Sequence, residues 1–253
     1  MDQLRTLQHQ LQRALDAQNY EGCRGVLDKL KHHLSTTGLL LPRGGESDAP
    51  VKEVLEMGAV VSIHLLDSTS FQRYWKQLGP FYRVLGHSAN WSKLMGLQLL
   101  LLLAESKIAE FHTEYERLGD EEVVREDQFL AYPLRLQEWL MEGSYDKVWR
   151  ATRQGMVPAE EYRVFSPILV DSMRNEIAQN AEKAYLPSIP LRNAQNLLFL
   201  DDEAAAVQFA ASRGWRVDEG RVFFGTQEAL EERDDERAIA NTLLYARELE
   251  TIV

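Results

Sequence analysis

The stretch Trp215-Arg216-Val217-Asp218-Glu219-Gly220-Arg221-Val222-Phe223-Phe224 decides the fold, because it holds the one persuasive β signal in an otherwise helical chain. β-Branched and aromatic residues flank Asp218-Glu219-Gly220, a short glycine-containing turn, and this predicts a two-stranded hairpin. Upstream, Tyr162, Phe165, Leu169, Met173, Ile177, Ala181 and Ala184 step by three and four, the mark of a long helix. Pro167 interrupts that run, which predicts a break with Ser166 as N-cap and Pro167 opening the longer helix. A shorter helix is expected at about 190–199, with Ala194, Leu197 and Leu198 facing inward. Another is expected at about 202–212, with Ala205, Val207, Phe209 and Ala210 inward. Three helices followed by a hairpin is the plan of a winged helix.

Outward from this module, the N-terminal side reads as helical pairs. Leu4, Leu7, Leu11 and Leu15 predict a helix over about 3–18. Gly22 interrupts, and Val26, Leu27, Leu30 and Leu34 give a second helix ending near Gly38. The segment Pro42 to Pro50 is dense in helix breakers and reads as a loop. Helix returns at about 51–66, 71–85 and 90–118, and Gly119-Asp120-Glu121-Glu122 reads as a solvated turn. Pro133 suits the first position of a helix carrying Leu134, Leu136, Trp139 and Leu140, which Gly143 can end in a left-handed cap. Ser144, Tyr145 and Asp146 open its partner, with Val148 and Trp149; Gly155 closes that helix and Pro158 starts the next. No motif repeats at a period near 34 residues, so degenerate helical pairs stacked as a solenoid fit better than a strict tetratricopeptide array.

On the other side, a helix from about Asp235 carries Asp234, Asp235 and Glu236 at its N-terminus, where the helix dipole favours them. Its apolar positions include Ile239, Leu243, Ala246, Leu249 and Val253. An isolated helix of about 15 residues is marginal in water, so this stripe must bury against its own domain or a partner. The fold class is therefore mostly α, a TPR-like helical-repeat array over 1–130, a winged-helix module with the last helical pair over 131–230, and a linker and terminal helix over 231–253.

Composition narrows the function. The chain has 253 residues, 45 % of them apolar and 26 % charged, which is globular rather than disordered. With 28 basic and 39 acidic residues its net charge is −11, which leaves no global footprint for nucleic acid or an anionic membrane. Leu186 to Glu203, read as the region of a recognition helix, carries Arg192 against Asp201, Asp202 and Glu203; groove reading needs Arg and Lys. The most apolar run, Leu94 to Ala104, is about half of the ~20 residues a spanning helix needs, and Gln98 interrupts it. It reads as a buried core helix. The N-terminus lacks a signal pattern, and the single Cys23 excludes an intrachain disulfide framework and fits a reducing compartment. The expectation is a soluble intracellular protein.

No enzyme is visible. His9, His32, His33, His64, His87 and His112 are scattered along the chain, and of them only His32 and His33 adjoin. Glu110 and Glu114 each lie two positions from His112 and so point away from it. There is no His-x-His pair, no P-loop, no Rossmann fingerprint and no Gly-x-Ser-x-Gly elbow. Cys23 beside Arg24 is expected to be a half-buried, unreactive thiol. Catalytic, cofactor-binding and metal-binding residues are expected to be none.

Four stretches carry a resemblance: Gly96–Leu118 (GLQLLLLLAESKIAEFHTEYERL), Glu138–Trp149 (EWLMEGSYDKVW), Asp171–Tyr185 (DSMRNEIAQNAEKAY) and Leu243–Val253 (LLYARELETIV). Together with the helical array and winged helix, the chain resembles the PCI-domain family, and within it the subunits of the proteasome lid, from about residue 50 onward. The resemblance implies a scaffold without catalytic activity or cofactors, a hetero-oligomer with other PCI-type lid subunits, present in cytoplasm and nucleus. It implies no nucleic-acid or membrane partner. It implies side-by-side contact of winged helices through Trp215, Val217, Val222, Phe223 and Phe224. It implies a C-terminal helical bundle formed by Ile239, Leu243, Leu244, Tyr245, Leu249, Ile252 and Val253. Scaffold subunits of the COP9 signalosome or of a translation initiation factor complex would share the fold but not the LMEGSYDKV and YARELETIV stretches; a winged-helix nucleic-acid binder is the reading from another class. Two departures stand out: Pro167 in a helix the family runs continuously, and the acidic run Glu231-Glu232-Arg233-Asp234-Asp235, which is no family signature.

Overall fold

Leucine periodicity and well-made caps organise the N-terminal helices. In the computed structural model, which describes residues 2–17, 19–39, 41–42, 44–45, 48–119, 121–153 and 157–224, α1 (Asp2–Asp16) packs against α2 (Tyr20–Thr37). The Asn19 side chain caps α2 by accepting from the Gly22 N–H at 3.0 Å. Gly22 thus lies inside the first turn instead of interrupting the array. Gly38, at φ 65°, closes α2 in the left-handed conformation the sequence calls for.

α3 (Asp48–His64) starts earlier than expected. Asp48 is 1 % exposed and accepts the Gly44 N–H at 2.7 Å. Pro50 falls in the first turn, where its missing N–H has no helical partner to lose. α3 pairs with α4 (Ser68–Leu85), and α5 (Trp91–Ala104) packs against both. α5 is buried all round from Leu94 to Ala104, as the apolar run demands, and among the described residues no helix is long and apolar enough to cross a membrane.

The helix expected over 90–118 is two helices, α5 and α6 (Ile108–Glu116). Ser106 between them adopts φ 57°, and the N–H of Lys107 bonds the carbonyl of Leu102 at 2.8 Å. This is a Schellman-type stop made without glycine, so no breaker marks it in the sequence. Beyond Gly119, Glu121 and Glu122 open α7 (Glu121–Glu126) and are not a turn.

α8 (Gln128–Met141) is capped by Asp127, which accepts the Phe129 N–H at 2.8 Å, so Pro133 lies inside the helix and not at its start. The carbonyl that Pro133 cannot bond is that of Phe129. The Tyr162 hydroxyl answers it at 3.3 Å, and also faces the Lys93 carbonyl at 3.0 Å. Gly96 makes this junction possible, since a Cβ there would lie 2.2 Å from the Tyr162 Oη and 2.4 Å from the Phe129 carbonyl oxygen. Gly143 (φ 70°) ends the α8 segment and α9 (Tyr145–Arg153) follows, both as expected. Gly155 lies outside the described residues.

α10 (Glu160–Ala184) runs unbroken through Pro167, which corrects the expected break at Ser166. Pro167 is exposed while Phe165, Leu169 and Val170 are buried, and the carbonyl it orphans belongs to the exposed Arg163, within reach of water. The inward stripe holds from Tyr162 to Ala181, whereas Ala184 is exposed.

Two compact units result, one from Met1 to Ser172 and one from Met173 on, with α10 crossing the boundary. In the second unit, β1 (Ser188–Pro190) precedes α11 (Leu191–Leu197), and α12 (Glu203–Ser212) precedes β2 (Arg216–Asp218) and β3 (Arg221–Phe223). The sheet is antiparallel in the order β1-β3-β2, so the hairpin gains a third strand that the sequence did not announce. Ala206 and Ala210, not Ala205 and Val207, are the buried residues of α12, and Val207 is 40 % exposed.

Candidate interaction surfaces

The winged-helix module builds its own core from residues expected to meet a partner. Trp215 sits edge-on between Phe209, 5.8 Å away, and Phe224, 4.9 Å away. Its Nε1–H donates to the Glu182 carboxylate at 2.8 Å, and the Arg213 Nε donates to the same oxygen at 3.2 Å. Arg213 also donates to the Asn175 side chain at 3.0 Å. Trp215, Val222 and Phe224 are 8 %, 1 % and 2 % exposed, so within the module they are packing residues. Val222 and Phe223 belong to β3, the central strand, whose backbone is paired on both sides. They do not form a sheet edge, because β1, invisible in the sequence, pairs with them.

The two edges differ chemically. β1 ends in Pro190, which has no N–H to offer, and passes directly into α11. β2 has no strand on its outer side among the described residues, and it presents exposed Arg216 and Asp218 around the half-buried Val217. Arg174 on α10 went unnoticed in the sequence; its guanidinium donates to the carbonyls of Leu198 and Phe199, both at 3.1 Å, and ties down the end of α11. Only the fold brings these residues together across about two dozen positions.

The helix that follows the topology of a recognition helix is α12, not the region 186–203. It carries Glu203 and no Lys or Arg, and the nearby Arg213 is engaged by Glu182. The terminal-helix residues Ile239, Leu243, Leu244, Tyr245, Leu249, Ile252 and Val253 lie outside the described residues.

In the first unit, His64 is brought beside Glu161, with Nε2 4.0 Å from Oε1, and stacks on Tyr20 at 4.3 Å. The same carboxylate oxygen is held by the Lys93 ammonium at 2.6 Å. Burial works to raise the Glu161 pKa, but the Lys93 hydrogen bond, a backbone N–H and the charges of Lys93 and His64 outweigh it and hold it below its ordinary value. Lys93 and Glu161 form an ion pair, which holds the carboxylate in its charged form. Cys23 is fully buried, further than expected, and burial pushes its thiol pKa up, away from reactivity. Among the described residues no cluster of three or more His, Cys, Asp or Glu could hold a metal ion.

Comparison with known proteins follows the same lines. Residues 90–235 match the family described as CSN8/PSMD8/EIF3K. Across 276 aligned positions spanning all of both chains, the sequence is 33 % identical to the Saccharomyces cerevisiae protein named 26S proteasome regulatory subunit RPN12. It is 37 % identical over 222 residues to the Schizosaccharomyces pombe protein named 26S proteasome regulatory subunit rpn12, covering 87 % of this chain and 81 % of that one. It is 32 % identical over 257 residues to the Arabidopsis thaliana protein named 26S proteasome non-ATPase regulatory subunit 8 homolog A, covering 95 % and 94 %. A helical array, a winged helix packed around a buried tryptophan and this breadth of identity agree: the chain belongs to the CSN8/PSMD8/EIF3K family, alongside the regulatory subunits of the 26S proteasome.

Proposed function

We propose that the chain is a non-catalytic structural subunit of the lid of the proteasome regulatory particle, acting in lid assembly and so in ubiquitin-dependent protein degradation. The observation that carries this reading is the end-to-end match to a protein named as a 26S proteasome regulatory subunit, with 33 % identity and full coverage of both chains. The relatives bearing proteasome names favour this reading over the other complexes that the family description spans.

The contacts follow from chemistry on the module. An edge strand presents unpaired backbone groups, and strand addition from a neighbouring winged helix satisfies them. β2 is the better edge for this, centred on Val217, with Trp215, Val222, Phe223 and Phe224 holding it in shape. The apolar residues from Ile239 to Val253 supply the second contact, to a helical bundle of sister subunits. Partners are other PCI-type lid subunits in cytoplasm and nucleus, with neither nucleic acid nor membrane among them; the absence of cations on α12 supports the former.

The test is affinity purification of the tagged full chain with mass spectrometry of what co-elutes. Lid subunits in equal stoichiometry are the expected result. Recovery of the chain alone, or with signalosome or initiation-factor subunits, would overturn the reading.

A further inference from the structure

A groove of about 830 Å³ runs between α4 and α6 over the surface of α5. Each helix contributes one stripe. Trp75, Gly79 and Tyr82 line the α4 wall, Trp91, Met95, Gln98 and Leu102 the α5 floor, and Glu110, Thr113 and Glu114 the α6 wall. These spacings of three and four mean that the trough follows α4 for about two turns, roughly 10 Å, and α5 for about three, roughly 16 Å. Two turns is the length over which an amphipathic helix presents its anchors at i, i+4 and i+7.

The groove is polarised. On the α6 wall Glu114 is held by Arg117 at 2.8 Å, and Glu110 lies in the field of Lys107, whose ammonium is itself bound by Glu105 at 2.7 Å. On the α4 wall Lys76 and Arg83, seven residues apart and exposed, meet no carboxylate among the described residues. Two unanswered cations on a chain of net charge −11 define which sign of ligand the α4 side attracts. At the floor, Gln98 is 7 % exposed and its Oε1 accepts no hydrogen bond, a demand that a donor entering the groove can meet.

The aromatic end of the groove is pre-set. Trp91 packs on His87 at 3.9 Å, and the segment between α4 and α5 is fixed from α3. Glu56, 4 % exposed, accepts from the Tyr82 hydroxyl at 3.0 Å and the Ser88 hydroxyl at 2.6 Å, while Lys52 donates to the Gly86 carbonyl at 2.9 Å. A site ordered before binding loses less entropy on binding.

We propose that this groove docks an acidic amphipathic helix of another polypeptide, its apolar face on Trp75, Trp91 and Met95 and its carboxylates along Lys76 and Arg83. The probe is a labelled 14-residue helix-favouring peptide with Leu at i, i+4 and i+7 and Glu along one flank, compared with a copy carrying Lys in place of Glu. Both are titrated against the full chain by fluorescence anisotropy. The Glu peptide is expected to bind about tenfold tighter or better, with an affinity that falls as salt rises. The double variant Lys76→Glu/Arg83→Glu should reverse the preference. Gly79→Leu should abolish binding of the Glu peptide; a Cβ there meets nothing within 4 Å, so the fold, followed by circular dichroism, should be unharmed. Equal affinity for both peptides, or indifference to Gly79→Leu, overturns the proposal. So does a chain dimer that Gly79→Leu dissolves, which would make a second copy the occupant. A gain of about tenfold in peptide affinity on removing 225–253 overturns it too, in favour of the chain's own segment.

Discussion

Tyr162 shows how much a single side chain can hold. Its ring is fully buried, 6.2 Å from Phe129 and 5.9 Å from Tyr132, and its one hydroxyl proton is offered to two carbonyls on α5 and α8. Burial drives its pKa upward, helped by the charges of Asp127 and Glu161, and burial alone pushes the neighbouring Tyr132 up to about 12. Both stay neutral at any physiological pH, and Tyr162 keeps its proton to donate. Gly96→Ala is expected to cost roughly 1–3 kcal/mol in denaturant unfolding, because the new methyl must displace a hydroxyl and a backbone carbonyl at once. In a Tyr162→Phe background the cost should shrink without vanishing, since the Phe129 carbonyl remains; an unchanged cost would contradict the junction. Apolar spacing marked Tyr162 as a core position, but its hydroxyl partners lie 69 and 33 residues away, and no local pattern encodes them.

Among the elements, helix boundaries set the shape of the array, and their legibility depends on the residue that stops each helix. Where glycine sits in the left-handed conformation, at Gly38 and Gly143, the stop was readable. Where Ser106 adopts φ 57° it was not, and 90–118 read as one helix; Leu66 and Phe199, at φ 58° and 51°, stop α3 and α11 close to the ends that apolar spacing gave. Prolines misled in the opposite direction, since Pro133 and Pro167 sit within helices whose orphaned carbonyls find Tyr162 or solvent. The left-handed conformation strains an L-residue by about 1–2 kcal/mol. The extra backbone freedom of an unfolded glycine returns about 0.5–1 kcal/mol of that. Ser106→Gly should therefore leave stability unchanged or raise it by up to about 1.5 kcal/mol, and a measured loss of stability would contradict the cap. Asp67 starts α4 by accepting from the Ser70 side chain and N–H and from the Thr69 hydroxyl, which lowers its pKa to about 2. A depressed folded pKa adds stability that is present above the ordinary aspartate value and lost as the pH falls through the folded one. Asp67→Ala should thus destabilise by about 0.5–2 kcal/mol at pH 7. The difference from the unsubstituted chain should narrow between about pH 4 and about pH 2. A difference that stays constant across that window would show the carboxylate charge to be irrelevant.

For the whole molecule, the winged helix separates residues that build the module from residues free to meet a neighbour. The hairpin was legible because Val217, Val222 and Phe223 bracket a glycine turn. β1 was not, because Ser188-Ile189-Pro190 is too short and too proline-rich to read as a strand until β3 lies beside it. That missing strand is why Val222 and Phe223 read as edge residues. Phe224→Ala should cost about 3–5 kcal/mol and loosen the module itself. Val217→Asp, at a half-buried edge position, should leave unfolding cooperative while reducing incorporation into the assembly. Equal incorporation of Val217→Asp and the unsubstituted chain would remove β2 as the contact. The account rests on the chain working as a fixed part of a large particle, and density-gradient sedimentation of native cell extract tests this most directly. Co-migration of the chain with proteasomal peptidase activity, with no pool near its own mass of 29.0 kDa, is the predicted profile. A chain that sediments alone while that activity migrates elsewhere would contradict it.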